Sequence, residues 1–286
     1  MKSAFITGAA TGIGEALVVR LQHEGWQVFA AYRDSPPEET RWFGKPNTAA
    51  VPCDVTQSDQ VAAAATTVSE HTGGTLDLLI NNAGYSPRDG VIEAADMTEY
   101  RHAFEVNFWG PMRVVQAMTP LVRRSNGRII NTTSASVYIT IPMYSAYPTS
   151  KAALKIMTQH LRMELAPFGI EVTSLEPGGV DTPMVELGPE VEARQWATIP
   201  EPLREQYRHH FLPGATAIGD NFTFQPPDVF ADEVWKKVIS ARRLKPSYLI
   251  GPKVAALPWM HRLFPAQQVQ NIWLRMFRAK PDAHGD

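Results

Sequence analysis

The sequence predicts a single α/β domain built on a Rossmann-type, doubly wound parallel sheet of about seven strands with helices on both faces. Short apolar segments alternate with segments of helical periodicity along the chain. The apolar segments are hydrophobic throughout, as in strands that are covered on both faces. No internal repeat or linker divides the 286 residues, so we treat 1–286 as one domain.

The elements follow in order along the chain. Strands are predicted at 3–8, 27–32, 49–55, 76–84, 127–134, 170–178 and 246–251. Helices are predicted at 12–25, 57–71, 97–124 with an interruption near Gly110 and Pro111, and 145–168. The segment 183–226 is predicted to be an irregular insertion that covers the sheet edge and the substrate. A helical extension is predicted at 253–280.

Composition excludes several classes of protein. With 44% hydrophobic and 20% charged residues, the chain resembles an ordinary soluble protein with a large core. A net charge of −2 and the lack of a basic block give no electrostatic case for nucleic-acid binding. The single cysteine, Cys53, excludes an internal disulfide and fits a reducing compartment, so we expect a cytoplasmic protein. We expect no membrane-spanning segment, and the histidine spacing predicts no metal site.

The first chemical motif is the stretch TGAATGIG at residues 7–14. It follows a strand and opens a helix, which is the context that a dinucleotide fingerprint requires. Gly8 permits the tight turn, Gly12 lets the backbone approach a pyrophosphate, and Gly14 allows close helix packing. The alternative is a plain strand–helix turn.

The second motif is the stretch YSAYPTSKAAL at residues 144–154. Lys151 follows Tyr147 by four residues, so both lie on one helix face. A lysine ammonium at about 4 Å supplies about 4 kcal/mol at an effective dielectric of ~20. We therefore expect Lys151 to lower the pKa of Tyr147 enough for proton exchange near neutral pH. The alternative is a surface pair of no consequence. Pro148 fits a helix only in its first turn, so the helix should begin within about four residues before it.

Together these motifs resemble the classical short-chain dehydrogenase/reductase family, whose glycine pattern is T-G-x-x-x-G-x-G. The rest of that family's pattern follows in order, with NNAG at 81–84, Asn107, Ser134, Tyr147 thirteen residues later, and PGGVDT at 177–182. The resemblance covers about residues 3–182. It implies an enzyme that transfers a hydride between a nicotinamide cofactor and a carbonyl or alcohol carbon.

The resemblance also implies a catalytic set. Tyr147 exchanges the proton, and Ser134 holds the reacting oxygen. Lys151 binds the nicotinamide ribose, and the backbone of Asn107 holds a water in a proton relay. Tyr144 has no lysine four residues later, so we assign it to the substrate wall or to packing.

Cofactor-binding residues are expected at the ends of the strands. Asp54 resembles the acid that binds the adenine amine, and Thr182 resembles the residue that fixes the carboxamide. A helix cap is the alternative for both. The full expected set is Gly8, Thr11, Gly12, Ile13, Gly14, Arg33, Asp54, Val55, Asn81, Ala83, Gly84, Tyr147, Lys151, Pro177, Gly178, Val180 and Thr182.

The end of the second strand favours NADP(H) over NAD(H). Tyr32 stands where NAD-dependent members of the family carry an aspartate, and Arg33 follows it. An arginine can pair with a 2′-phosphate through two hydrogen bonds. NAD(H) stays possible, because Asp34 is adjacent and the glycine turn carries no basic residue.

The C-terminal third predicts a bulky apolar substrate, such as a steroid, a retinoid, or a long-chain or aromatic ketone or alcohol. Large apolar side chains recur in 183–226 and, at helical spacing, in 254–277. Three alternatives stay open: packing of the protein's own core, a subunit interface, and an amphipathic surface helix that rests on a membrane. In the last of these, the apolar residues are Trp259, Ile272, Trp273 and Phe277, flanked by Arg262, Arg275 and Arg278. We expect a small-molecule substrate, no nucleic-acid partner, and a homo-oligomer, either a dimer or a tetramer.

Other functions remain as alternatives. One is an NAD-dependent alcohol dehydrogenase of the same family. Another is an epimerase or dehydratase, although these usually carry a longer C-terminal substrate domain. A third is a non-catalytic dinucleotide sensor, which would need no proton donor.

Overall fold

Seven parallel strands form one sheet in the order β3-β2-β1-β4-β5-β6-β7, which confirms the predicted fold class. The computed structural model describes residues 1–34, 37–87, 89–185, 187–212 and 214–278. Residues 186, 213, 279 and 280 of the predicted cover and extension lie outside these ranges. The strands are β1 (Ser3–Ile6), β2 (Gln27–Tyr32), β3 (Thr48–Pro52), β4 (Leu78–Asn81), β5 (Arg128–Thr132), β6 (Glu171–Pro177) and β7 (Ser247–Ile250).

The strand order reverses between β1 and β4, and ligands of such sheets bind at the crevice that this reversal opens. The helices are α1 (Gly12–His23), α2 (Ser58–Thr72), α3 (Met97–Phe104), α4 (Gly110–Ser125), α5 (Ala146–Leu165), α6 (Pro189–Ala197), α7 (Glu201–Arg208), α8 (Gly214–Asn221), α9 (Pro227–Val234), α10 (Leu257–Leu263) and α11 (Ala266–Met276).

Both faces of the sheet are buried, which explains why the strands are apolar throughout. Ile6 packs in the cluster that includes Leu17 of α1 and Phe230 of α9. Its neighbour Phe5 points to the opposite cluster, with Val61 of α2 and Met118 of α4. Successive strand residues alternate between the faces, so neither face could carry polar side chains without burying them.

The expected interruption near Gly110 and Pro111 is a π-helical turn that lies immediately before Gly110. A π-helical turn, Glu105–Trp109, joins α3 to α4, and Gly110 keeps helical dihedral angles. Pro111 lies in the first turn of α4, where its missing N–H costs little. Glycine is required at 110 by packing instead, since a Cβ there would lie 2.7 Å from Val55 Cγ2.

The expectation of irregular structure at 183–226 is wrong, because this segment contains α6, α7 and α8. Prolines suggested breaks, but Pro189 and Pro202 stand in the first turns of α6 and α7, where proline is favoured. The expected helical extension consists of α10 and α11.

Across the described ranges, no helix has both the length and the apolar character to cross a bilayer. The same ranges hold no group of three or more His, Cys, Asp or Glu side chains that could bind a metal ion.

Candidate active site

The glycine turn between β1 and α1 is shaped for close approach. Gly8 and Gly12 have positive φ angles of 64° and 56°. A Cβ at Gly14 would lie 2.0 Å from the carbonyl oxygen of Gly8, so α1 starts against the turn itself. The Thr11 side chain makes no capping hydrogen bond to α1. The N-terminus of α1 is therefore available to the phosphates of a dinucleotide.

Hydrogen bonds fasten the end of β4 to this turn. Thr7 Oγ1 accepts from the backbone N–H groups of Asn82, at 2.9 Å, and Ala83, at 3.0 Å. The Asn82 amide donates to the carbonyl oxygens of Thr7, at 3.1 Å, and Gly8, at 3.2 Å. These bonds hold residues 82–84 at the point where the strand order reverses. Asn82 was not among the predicted site residues, although its motif was recognised.

Lys151 lies on α5 and is almost fully buried, with 2% of its surface exposed. Its Nζ donates to the carbonyl oxygen of Thr132 at 2.9 Å and lies 5.7 Å from the Tyr147 ring centroid. Burial disfavours the ammonium and lowers the pKa of Lys151 to about 7. The lysine therefore changes charge near neutral pH.

Tyr147 lies one turn before Lys151 and contacts Ser134. Burial raises the pKa of Tyr147, and the hydrogen bond with Ser134 lowers it by less. The expected lowering of this pKa by Lys151 is therefore wrong for the protein alone. Burial favours the neutral form of Lys151, and its Nζ donates to the carbonyl oxygen of Thr132 and not to Tyr147. Tyr147 carries its proton at neutral pH.

Asn107 lies in the π-helical turn and is fully buried. Its amide donates to the carbonyl oxygen of Tyr85, at 2.7 Å, and to Ser150 Oγ, at 2.9 Å. Its side-chain oxygen accepts from the Tyr85 backbone N–H at 2.8 Å. The side chain thus fixes the loop after β4 against α5, while the relay through its backbone stays a prediction.

The start of α5 is held by a distant acid. Asp89 Oδ2 accepts from the backbone N–H and hydroxyl of Ser145, at 2.5 and 2.8 Å, and from the Ala146 N–H, at 2.8 Å. Because α5 begins at Ala146, Pro148 lies in its first turn, as predicted. The acid lies 56 residues before Ser145, so no local sequence signal identifies it.

The cover segment reaches the same loop. Gln195 of α6 is buried and donates to the carbonyl oxygens of Asp89, at 3.1 Å, and Met143, at 2.5 Å. Helix α6 is thereby joined to the residues that precede and cap α5.

A cavity of about 360 Å³ brings most of the predicted site together at the carboxyl ends of the strands. The predicted residues that line it are Gly8, Thr11, Gly12, Ile13, Ala83, Gly84, Ser134, Tyr144, Tyr147, Lys151, Pro177, Gly178, Val180 and Thr182.

Six predicted residues lie outside the cavity lining: Gly14, Arg33, Asp54, Val55, Asn81 and Asn107. Asp54 Oδ1 accepts from the backbone N–H and hydroxyl of Thr56, at 2.9 and 2.8 Å, and so closes a turn ahead of α2. The N-cap of α2 is Gln57, so Asp54 is not the helix cap of the alternative, and its contact with the adenine amine stays a prediction. Buried Asn81 donates to Asn131 Oδ1 at 2.8 Å and so links β4 to β5. Val55 packs in the core beside α2 and α4.

Arg33 follows β2, with 54% of its side chain exposed. Its Nε pairs with the Asp34 carboxylate at 2.5 Å. A 2′-phosphate would have to compete with this neighbour for the guanidinium.

Large apolar side chains also line the cavity. Met184, Leu187, Phe222 and Phe224, which the sequence placed in the substrate segment, line it. Ile139, Ile141, Val191, Ile218 and Val254 line it as well and were not predicted. Among the described residues of the lining, Lys151 is the sole charged side chain. Trp196 and Ile199 instead pack with Val91 and Met143.

The family follows from comparison with known proteins. A family model described as short chain dehydrogenase matches residues 2–192, more than half of the chain. The chain belongs to the short-chain dehydrogenase/reductase family. This confirms the resemblance carried by the glycine turn and by Tyr147 and Lys151, and its members are NAD(P)-dependent oxidoreductases.

Three similar proteins are informative, and the chain spans slightly less than two thirds of the first of them. Short-chain dehydrogenase ptmH of Penicillium ochrochloron is 39% identical over 187 residues, which cover 63% of this chain and 66% of the relative. The NADPH-dependent 1-acyldihydroxyacetone phosphate reductase of Schizosaccharomyces pombe is 34% identical over 275 residues, covering 95% of this chain and 89% of the relative. A short chain dehydrogenase of Burkholderia cenocepacia, solved in complex with NADP, has a TM-score of 0.73 at 25% identity and covers 96% and 99% of the two chains.

Proposed function

We propose that this dehydrogenase transfers a hydride between NADP(H) and the carbonyl or alcohol carbon of a bulky apolar substrate. The observation that carries the proposal is the shared cavity, whose lining combines Ser134, Tyr147 and Lys151 with the glycine turn and with large apolar side chains. The bound nicotinamide supplies or accepts the hydride.

The proton step follows from the pKa shifts. In the reducing direction, the Tyr147 hydroxyl donates its proton to the substrate oxygen while the Ser134 hydroxyl binds the same oxygen. Because burial raises the pKa of Tyr147, this proton is in place at neutral pH. The negative charge of the tyrosinate left behind would favour the protonated form of Lys151. Because the pKa of Lys151 is about 7, its protonation at neutral pH costs little free energy.

The residues present fit a dinucleotide. The first turn of α1 begins at Gly12, where a Cβ would lie 2.9 Å from Thr182 Cγ2, so glycine is needed for Thr182 to pack against this turn. The backbone N–H groups of that turn would bind the phosphates of the cofactor. Thr132 Oγ1 and Ser136 Oγ are buried in the cavity lining without a hydrogen-bond partner in the described protein. Buried polar groups are usually paired, so these hydroxyls favour a polar ligand in the cavity.

The preference for NADP(H) rests on Arg33 and is supported by two relatives, one named as NADPH-dependent and one solved with NADP. One charge-assisted bond contributes about 1.5–3 kcal/mol, or roughly ten- to a hundredfold in affinity. We expect Arg33→Ala to lower kcat/KM for NADPH by that factor and to leave NADH unchanged. Asp34→Asn, which frees Arg33, should raise the preference. Equal kcat/KM values for NADPH and NADH in the parent would exclude a preference for NADP(H).

The substrate class rests on the large apolar side chains and on the scarcity of charge in the described lining. The Schizosaccharomyces pombe relative acts, by its name, on an acylated ketone phosphate. The acyl chain of that substrate is a bulky apolar group of the kind proposed here. A panel of ketones that differ in chain length and polarity tests this. We expect kcat/KM to rise with apolar size, and a preference for small polar ketones or sugars would exclude the proposal.

Catalysis itself is tested by Tyr147→Phe, with Tyr144→Phe as the matched control. We expect the first variant to lose turnover while it still binds NADPH, and the second to change KM more than kcat. If the parent binds NADPH tightly but turns over no substrate, the sensor alternative is favoured. Reaction at a carbon distant from any carbonyl or alcohol would favour the epimerase alternative.

A further inference from the structure

Helices α10 and α11 expose an unusual concentration of large apolar side chains. Their inner residues, including Leu257, Val269 and Trp273, are buried in one cluster. Among the described residues, six of the seventeen large exposed apolar side chains lie in this helix pair or the turn that joins it. We call these six the outer face: Trp259, Leu263, Phe264, Ile272, Leu274 and Met276. In α11, Ile272 and Met276 lie on one side of the buried stripe and Leu274 lies on the other. Trp273 and Phe277, which the sequence suggested for a membrane surface, are buried instead.

The charged residues within the segment that contains the outer face are all basic. Lys253, Arg262, Arg275 and Arg278 are all exposed. The sequence has no Asp or Glu between Glu233 and Asp282, although this stretch contains ten Lys and Arg residues. The rest of the chain carries a net charge of −12, because the total is −2. The positive charge is therefore segregated to the C-terminal part of the chain.

We propose that the outer face of α10 and α11 rests on an anionic lipid bilayer surface. Amphipathic helices with Trp, Phe and Leu on one side and flanking Arg and Lys residues bind at the headgroup boundary of such membranes. Trp259 lies with its ring beneath Arg262, whose guanidinium carbon is 5.7 Å from the ring centroid. A tryptophan next to a cation suits the interface between acyl chains and anionic headgroups.

Charge favours lipid over a second copy of the chain. A two-fold contact through the outer face would bring the same four cations of each copy together, and like charges oppose association. An anionic surface meets these cations with opposite charge. Each Lys or Arg near such a surface strengthens binding about fivefold.

The same helix pair lies against the cavity. Val254, Ile139 and Ile141 belong both to the cluster beneath α10 and α11 and to the cavity lining. The lipid surface would therefore lie next to the cavity that receives an apolar substrate. Membrane binding can be measured without substrate, so its failure and a failure of the proposed function are distinguishable.

The test is sedimentation of the full chain with phosphatidylcholine vesicles, with and without phosphatidylserine, at low and high salt. We expect binding to the anionic vesicles that high salt weakens. Arg262→Ser/Arg275→Ser/Arg278→Ser should lower the partition coefficient about a hundredfold. Lys236→Ser/Arg242→Ser/Arg243→Ser, which removes three exposed cations ahead of β7, is the matched charge control and should change it little.

A second pair of variants tests the apolar contribution. Trp259→Ser/Leu263→Ser should lower binding at least tenfold, whereas Ile92→Ser/Met97→Ser, at exposed apolar positions elsewhere, should not. Absence of binding to anionic vesicles overturns the proposal. So does binding that both charge variants weaken equally. Light scattering that shows Trp259→Ser/Leu263→Ser dissociating an oligomer, without vesicle binding by the parent, would assign the outer face to a second copy.

Discussion

Replacing the buried lysine by methionine should stabilise the cofactor-free protein in a pH-dependent way. Burial lowers the pKa of Lys151 from 10.5 to about 7, so the folded chain binds fewer protons than the unfolded chain between these values. The destabilisation is therefore complete below pH 7 and disappears as the pH rises to about 10.5. At 1.36 kcal/mol per pKa unit, the destabilisation caused by burying Lys151 is about 4 kcal/mol at pH 7 and about 2 kcal/mol at pH 9.

The variant Lys151→Met removes this destabilisation, but it also loses the hydrogen bond to Thr132. The loss of this hydrogen bond does not depend on pH in the same way. The difference in free energy of unfolding between variant and parent therefore changes with pH only through the charge on Lys151. Relative to the parent, the free energy of unfolding of Lys151→Met should be about 2 kcal/mol lower at pH 9 than at pH 7. Urea unfolding of the cofactor-free proteins at both pH values measures it. Lys236→Met, at an exposed position, is the control and should show no such change.

A difference between Lys151→Met and the parent that is the same at pH 7 and pH 9 would refute the reasoning. It would mean that Lys151 stays charged in the folded protein. The proton step proposed above would then need another explanation for the protonated Tyr147.

Three further changes test the supports of the site. Glu176→Gln should cost about 3 kcal/mol in urea unfolding, because buried Glu176 pairs with Lys155 Nζ at 2.9 Å and accepts from the Tyr138 hydroxyl at 2.9 Å. An unchanged midpoint would show that the pair contributes nothing. Asp89→Ala should cost about 2–3 kcal/mol by the same measurement, since three hydrogen bonds at the start of α5 are lost; full stability would contradict the capping role. Gly14→Ala should cost about 1–3 kcal/mol and weaken NADPH binding measured by fluorescence, because its Cβ would meet the turn at 2.0 Å. Unchanged NADPH binding would show that the glycine turn adjusts to the added Cβ.

Local patterns predicted the fold and the centre of the site. The apolar runs identified every strand, because strands that are covered on both faces consist mostly of hydrophobic residues. The spacing of Tyr147 and Lys151 placed both on one helix face, and Pro148 fixed the start of that helix. These features depend on residues that are close in sequence.

Properties that depend on distant residues were not predictable. The pKa of Tyr147 is set by burial, which the sequence does not show. Helices α6 to α8 were missed because their prolines stand at helix starts and were interpreted as breaks. The homo-oligomeric state and the cytoplasmic location stay predictions.

The bond between Gln195 and Asp89 bears on how this enzyme could be redesigned. Exchanging the cover segment for that of a relative is an obvious way to alter substrate choice. Here such a graft would also remove the contacts of α6 with residues 89 and 143, and Asp89 holds the start of the helix that carries Tyr147. A chimera that transfers the cover alone would disturb the reaction centre as well as the pocket. The transplantable unit comprises the cover together with the loop around residue 89 and the segment around residue 143.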